Sequence, residues 1–444
     1  MEFIVVFGMI GFIIVATVKL KMHPVFSLII AAIVSGLLLG LSPNEVIATI
    51  GDGFGKTLSG IGLVIAFGTV IGTFLERTGG TKVMANAVLG WIGHRRSPLA
   101  INLAGFVVAI PVFCDSGFII LSSLNKAMNK KTGISLMVFA LALASGLYAA
   151  HVFVPPTPGP LAAAAIIGAD LGMVLLLGLV IALPVSLTGY IWAKLVGNRL
   201  TGEEKEYGKD QDTAQLEAQI SPSVFGVFLP LLAPIVLIAL KSMVNYPSKP
   251  FGNGFVFRFF DFVGNPIIAL LIGVLFAFLL TARVVPKKRN MWVVEALKQG
   301  GLIVLITGAG GAFGAVLRTI DIASLLDFTS NSGWIGLLIC FLIAAILKTA
   351  QGSSTVAIIT TAPIVALLLN SFGLESEIGK SLAVLAVGAG AMTVSHVNDS
   401  YFWVVSQFSG MNLKTALKGH TVATLLQGCV GLLAIMLLYV LFDV

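Results

Sequence analysis

His151-Val152-Phe153-Val154-Pro155-Pro156-Thr157-Pro158-Gly159-Pro160 separates two apolar runs, Ile134–Ala150 and Leu161–Gly168, that would otherwise read as one long membrane helix. The prolines remove backbone donors and fix φ at each position, so no helix is expected to pass through Pro155–Pro160. Carbonyls freed in hydrocarbon are costly, and broken backbone at that depth persists only where it lines a cavity or is buried in protein. The stretch is therefore expected to form half of a solute site. Ser395-His396-Val397-Asn398-Asp399-Ser400, inside the run Ala383–Gln407, answers it near the other end of the chain. Both follow a Gly/Ala-rich approach, Ala144-Ser145-Gly146 and Gly388-Ala389-Gly390-Ala391, and both place a His-Val pair at the interruption. Like interruptions in corresponding positions of two halves point to the binding site of a secondary transporter.

The composition agrees with that setting. The chain has 444 residues, 57% hydrophobic and 11% charged, with a mean hydropathy of +1.02. Soluble domains carry about 25% charge, so the fold class is an all-α polytopic membrane protein. The 49 glycines suit close helix packing. Cys114, Cys340 and Cys429 lie in apolar runs without ligand-like or paired spacing, which suggests neither a metal site nor a disulfide framework. The net charge of +7 is dispersed among loops and does not indicate nucleic acid. Met1-Glu2-Phe3 lacks a basic region and a cleavage site, so the first apolar run is expected to be a span rather than a signal peptide.

Apolar runs of about 20 residues mark spans. In the first half these are Phe3–Val18, Pro24–Leu41, Leu58–Leu75, Pro98–Leu124, the broken run 134–168 and Leu171–Ala193. In the second half they are Val224–Leu240, Val263–Thr281, Gly300–Leu317, Gly333–Asn370, the broken run 379–409 and His420–Leu441. Pro98–Leu124 is flanked by bases at both ends, Arg95 and Arg96 before it and Lys126, Lys130 and Lys131 after it. Because basic loops stay cytoplasmic, it is expected to be a re-entrant hairpin with its tip at Ile110–Gly117. Gly333–Asn370 has the same form, with a tip near Gln351-Gly352-Ser353-Ser354 and acidic flanks, so it should enter from outside. Ten spans and two hairpins then place most of the 27 Lys and Arg residues inside and both termini outside. The expected organisation is two inverted-topology repeats, 1–196 and 223–444, joined by a cytoplasmic linker, 197–222.

Ionisable residues at membrane depth are costly and are functional candidates by default. Asp115, Asp399, His151 and His396 are the candidates for carrying a proton, since a desolvated carboxyl or an imidazole can titrate near neutral pH. Asp115 could instead simply cap the second hairpin helix. Gly352, Ser353, Ser354 and Thr355 offer hydroxyls and free N–H groups at a helix start, which attracts a carboxylate. Ser116, His151, Thr157, Asn398 and Asp399 complete the expected substrate contacts. Lys348 lies one turn before the second tip and could add charge, snorkel or pair with an acid.

Together, His151–Pro160 followed by Leu161-Ala162, Phe113-Cys114-Asp115-Ser116-Gly117-Phe118, Gln351–Ala357 and Ser395–Asp399 make the whole chain resemble the gluconate permease family of bacterial transporters, which includes a D-serine permease. That resemblance implies proton-coupled uptake of gluconate or a related small hydroxy acid across the bacterial inner membrane. It implies no cofactor besides the coupling ion, an ion-transporter-superfamily fold with elevator-like motion, and a homodimer. Two positions depart from the family pattern, with Thr157 where gluconate carriers usually show His and Asp115 where they tend to show Glu. Glycerate, another aldonate or a hydroxy amino acid therefore stands beside gluconate as substrate. Sodium coupling through Ser353, Asn398, Asp399 and broken-helix carbonyls stands beside proton coupling. A passive channel would not concentrate its solute, and a membrane-embedded enzyme finds no nucleophile motif or metal spacing.

Overall fold

A computed structural model describes residues 5, 8, 9, 11–13, 15, 16, 19–93, 96–200, 222–245, 254–282, 286–317, 319, 333–397 and 399–443. Every regular element among them is helical. The expected span Phe3–Val18 is described only in part, and most of the expected linker lies outside the described residues.

The first half contains α1 (Pro24–Leu38), α2 (Pro43–Arg77), α3 (Gly80–Ile92), α4 (Ser97–Ala109) and α5 (Cys114–Thr132). It continues with α6 (Leu136–Phe153), α7 (Pro158–Ile167) and α8 (Leu171–Val196). The second half contains α9 (Val224–Val244), α10 (Phe255–Val263), α11 (Pro266–Leu280) and α12 (Pro286–Leu317). It ends with α13 (Gly333–Gln351), α14 (Ser354–Leu368), α15 (Glu377–Met392), α16 (Ser400–Phe408), the short α17 (Leu413–Ala416), a π-turn over Leu417–Thr421 and α18 (Val422–Leu441). By length and composition five helices can cross a membrane, or seven if two bent pairs are each counted once. The hairpin arms Ser97–Ala109, Gly333–Thr349 and Ser354–Leu368 are shorter apolar helices.

Several elements extend beyond their apolar runs. Leu58–Leu75 is the last part of α2, which begins at Pro43 behind a capping box. There Ser42 accepts from the Glu45 N–H and Glu45 accepts from the Ser42 N–H at 2.8 Å. Gly300–Leu317 is the last part of α12, whose first turns, Pro286-Lys287-Lys288-Arg289, are too charged to register as a span. The loop expected between Leu75 and Pro98 holds α3.

Glycines decide how these helices meet. α2 and α12 lie antiparallel, with Gly53 against Gly311 and Ala315 at one end, Gly300 against Thr69 midway and Arg77 paired with Glu295 at the other end. α1 and α11 pack on this pair, and α9 packs on α11. α3 packs on α4 and α10 on α9, while α4 to α8 and α13 to α18 form a further group that includes α6, whose residues Met137–Phe153 are all buried. Asn102 of α4 donates to the carbonyls of Ala142 at 2.9 Å and Ser186 at 3.2 Å, tying the first hairpin to α6 and α8. α6 and α15 approach tail to tail, with Val152 beside Gly388 and the Tyr148 hydroxyl donating to the Ala391 carbonyl. Both helices are interrupted at that meeting point.

Candidate functional site

The first interruption is shorter than the run of prolines. α6 ends at Phe153, and α7 starts at Pro158, so only Val154–Thr157 are non-helical. Pro158 and Pro160 sit in the first turn of α7, where a missing N–H breaks no helical bond. His151 accordingly lies in the last turn of α6 rather than in unwound chain. Thr157 is buried and its hydroxyl donates to the Val154 carbonyl at 2.6 Å, closing the turn. The second interruption runs from Thr393 to Asp399. Val394 there holds φ at +57°, a left-handed conformation that β-branched residues rarely adopt.

Each hairpin tip reaches one or both interruptions. The first tip, 110–113 between α4 and α5, presses the Pro111 carbonyl onto Gly72 of α2, where a β-carbon would collide. The Phe113 ring lies 6.0 Å from the His151 ring. Asp115 and Ser116 follow in the first turn of α5, a favourable place for a carboxylate. Ser400, at the start of α16, donates to Asp115 Oδ2 at 3.4 Å, while Asp115 Oδ1 is buried without a hydrogen-bond partner. Ser116 contacts Glu76 of α2. At the second tip Gly352 has φ +86°, which a glycine adopts without strain. Ser353 caps α14 by accepting from the Val356 N–H at 3.3 Å. Thr355 Oγ1 lies 3.4 Å from His151 Nε2, joining the second tip to the first broken helix.

At the centre of the second interruption is an ion pair that the sequence left open. Lys348, in the last turn of α13, is fully buried and donates to Asp399 Oδ2 and to the Gly352 carbonyl. A cation is favourable at a helix C-terminus. Asp399 also accepts from the Ser395 hydroxyl and, through Oδ1, from the Tyr401 N–H at 3.0 Å, so it caps α16 as well. Two threonines hold Ser395 from behind. The Thr421 hydroxyl donates to its carbonyl at 2.6 Å, and its N–H donates to Thr424 Oγ1 at 2.9 Å. The π-turn at Leu417–Thr421 gives α18 this register.

A small, water-sized cavity of about 20 Å³ lies between α2, the first tip and the first interruption. Its polar wall is Thr69, Thr73, Glu76, His151, Thr157 and Gln299. Among the expected site residues, His151 and Thr157 line it. Asp115, Ser116, Gly352, Ser353, Ser354, Thr355 and Asp399 gather around the two tips beside it. His396 faces elsewhere, its Nε2 lying 3.2 Å from the Thr349 carbonyl. Asn398 lies outside the described residues. The sequence alone leaves the role of Lys348 open, and it does not mark Glu76, Gln299, Ser395 or Ser400 as individual site residues. Glu76 had one signal, an acid at the very end of a glycine-rich apolar run, next to an arginine that masks it.

Hairpin tips that meet interrupted helices around buried charge are the setting of a membrane transporter. The family is fixed by comparison. A model described as GntP family permease matches residues 1–441, and the chain belongs to that family. A gluconate permease of Pseudomonas aeruginosa is 35% identical over 97% of this chain and 95% of that protein. The D-serine transporter DsdX of Escherichia coli O6:H1 is 31% identical over 96% of this chain and 95% of that one. Among solved structures, Neisseria gonorrhoeae MtrF, described as illuminating a class of antimetabolite efflux pumps, superposes with a TM-score of 0.68. It shares 14% identity over 95% of this chain and 96% of its own, so the likeness concerns the fold alone.

Proposed function

We propose that this permease carries out proton-coupled uptake of gluconate or a closely related hydroxy acid across the bacterial inner membrane. The observation that carries the reading is the convergence of Asp115, His151, Lys348 and Asp399 where both hairpin tips meet both interruptions. The substrate carboxylate is placed at the start of α14, by Ser353, Ser354 and Thr355, where free N–H groups and the helix dipole favour an anion. The hydroxyls are placed by Thr157, Ser116 and Asn398. Lys348, fully buried and bonded to Asp399 and to the Gly352 carbonyl, fixes the second tip against the second interruption and balances the charge there.

Asp115 is the better proton carrier of the two aspartates, because Asp399 already holds a cation, a hydroxyl and a backbone N–H. The repeated element order, a long glycine-rich helix, a hairpin, a broken helix and a final span, supports two inverted repeats, 1–196 and 223–444. In that arrangement α2 and α12 belong to a static framework, and the body around α6 moves along it as an elevator, in a homodimer with both termini periplasmic.

A second substrate class, the hydroxy amino acids, is favoured by one observation: a relative 31% identical over 96% of this chain is named a D-serine transporter. The test is uptake of labelled gluconate into proteoliposomes under an inward proton gradient, with glycerate, other aldonates and D-serine as competitors. Accumulation that collapses with a protonophore is expected. Accumulation that follows sodium instead removes the proton, and a better competitor replaces gluconate.

A further inference from the structure

The wall of the water-sized cavity contains a carboxyl group that the site described above does not use. Glu76 is half-buried at the end of α2. Every charged or titratable group around it can be named. On its own helix, Arg77 is engaged by Glu295 of α12, so its positive charge is already balanced. From α5 come Ser116, in contact with Glu76, and its neighbour Asp115. From α6 comes His151, 5% exposed, whose Nδ1 has no hydrogen-bond partner. From α12 comes Gln299, which is neutral. Glu76 is thus the one carboxylate on the cavity wall among the described residues, and no uncompensated cation stands beside it.

An ionised Glu76 would repel an organic anion bound at the tips beside this cavity. A protonated one would not, and it would become a hydrogen-bond donor to a substrate oxygen. Resting on the proton-coupled reading above, we infer that Glu76 is a proton-exchange carboxyl of the transport cycle, outside both hairpins. It takes up one proton, through the water-sized cavity it lines, when the anion binds at the adjoining tips and releases one when the anion leaves. The carboxylate becomes a neutral acid and reverts, and no bond in the substrate changes.

The experiment compares two fluxes of labelled gluconate in proteoliposomes containing the full chain. Accumulation under a pH gradient requires a proton to move with substrate, whereas counterflow exchange at equal pH does not. One pH unit drives about tenfold accumulation for one proton per anion. For Glu76→Gln the expected result is an accumulation ratio near unity, together with an exchange flux that is slower than wild type but no longer varies with pH. Glu76→Asp is expected to restore gradient-driven accumulation. A Glu76→Gln protein that accumulates gluconate in a protonophore-sensitive manner, as the wild type does, overturns the assignment. So does loss of both fluxes in a folded protein, which would make Glu76 a binding or structural group. Should Glu76→Gln not fold, an unchanged pH profile of uptake in Glu76→Asp overturns it equally. If the wild type itself shows no gradient-driven accumulation, the proton-coupled reading fails first, and the result is distinct from failure at Glu76.

Discussion

The two interruptions do the same geometric work by opposite means. Val154–Thr157 is held by its own covalent structure, with Pro155, Pro156 and Pro158 limiting φ and Thr157 closing the turn onto Val154. It carries no charge. Thr393–Asp399 has no proline and holds its shape through side chains from elsewhere. Lys348 comes from α13, Thr421 from the π-turn and Thr424 from α18, while His396 reaches the Thr349 carbonyl. A proline turn is insensitive to its surroundings, so the first interruption can serve as a neutral wall. A networked turn responds to any member that moves or changes charge, so the second is where ligand and charge can alter the backbone. The comparison predicts that substitutions in the network are costly and that those in the proline turn are mild.

The largest effect is expected from Lys348→Met, which leaves the buried Asp399 carboxylate unpaired. Removing one member of a buried pair costs about 3–5 kcal/mol, so the apparent unfolding temperature in detergent should fall sharply and uptake should vanish. Lys348→Met combined with Asp399→Asn should recover most of the stability without recovering transport. A double variant that transports would show that the pair only holds the fold. Asp115→Asn should lie next. It removes the charge but keeps the bond from Ser400, so the unfolding temperature should hold while the about tenfold accumulation per pH unit disappears. Normal accumulation by Asp115→Asn would exclude Asp115 from coupling. Thr421→Val with Thr424→Val strips both bonds from Ser395. Each lost partner of a buried polar group costs about 1–3 kcal/mol, and serine at both positions should restore what valine removes. An unshifted melt would show that the second interruption does not depend on α18.

How much of this was legible follows from the same contrast. Proline acts on its own backbone, so the first interruption could be located from Pro155 and Pro156 alone, although Pro158 and Pro160 overstated its length. The residues of the second interruption were visible as polar letters in an apolar run, but their partners were not. Nothing local joins Lys348 to Asp399, 51 positions away, and Thr421 and Thr424 read as ordinary small residues of a span. α3 escaped because it has only 13 residues, Lys82 and Asn86 among them, and the first turns of α12 because Lys287, Lys288 and Arg289 lower the local hydropathy. The start of α2 was readable, since Ser42-Pro43-Asn44-Glu45 is a capping-box sequence. The family was legible because its motifs fall at both tips and both interruptions. Glu76 was hidden because an acid beside Arg77 at the end of a span reads as an interfacial charge.

The smallest effect tests whether strain belongs to the networked turn. Val394 sits at φ +57°, and an L-residue with a β-carbon pays about 1–2 kcal/mol to occupy that region. Glycine pays nothing there, but it has more freedom to lose from the unfolded chain, about 0.5–1 kcal/mol. Val394→Gly should therefore raise stability slightly, by under about 1 kcal/mol after that offset, which a melt of the purified protein can resolve as a shift of at most a few degrees. Thr157→Ser in the first interruption should shift nothing, because its hydroxyl still reaches the Val154 carbonyl. If Val394→Gly stabilises the protein but slows uptake, the strained valine holds the second interruption ready to move. If it destabilises the protein, the valine side chain is packing rather than straining, and the two interruptions differ in their bonding alone.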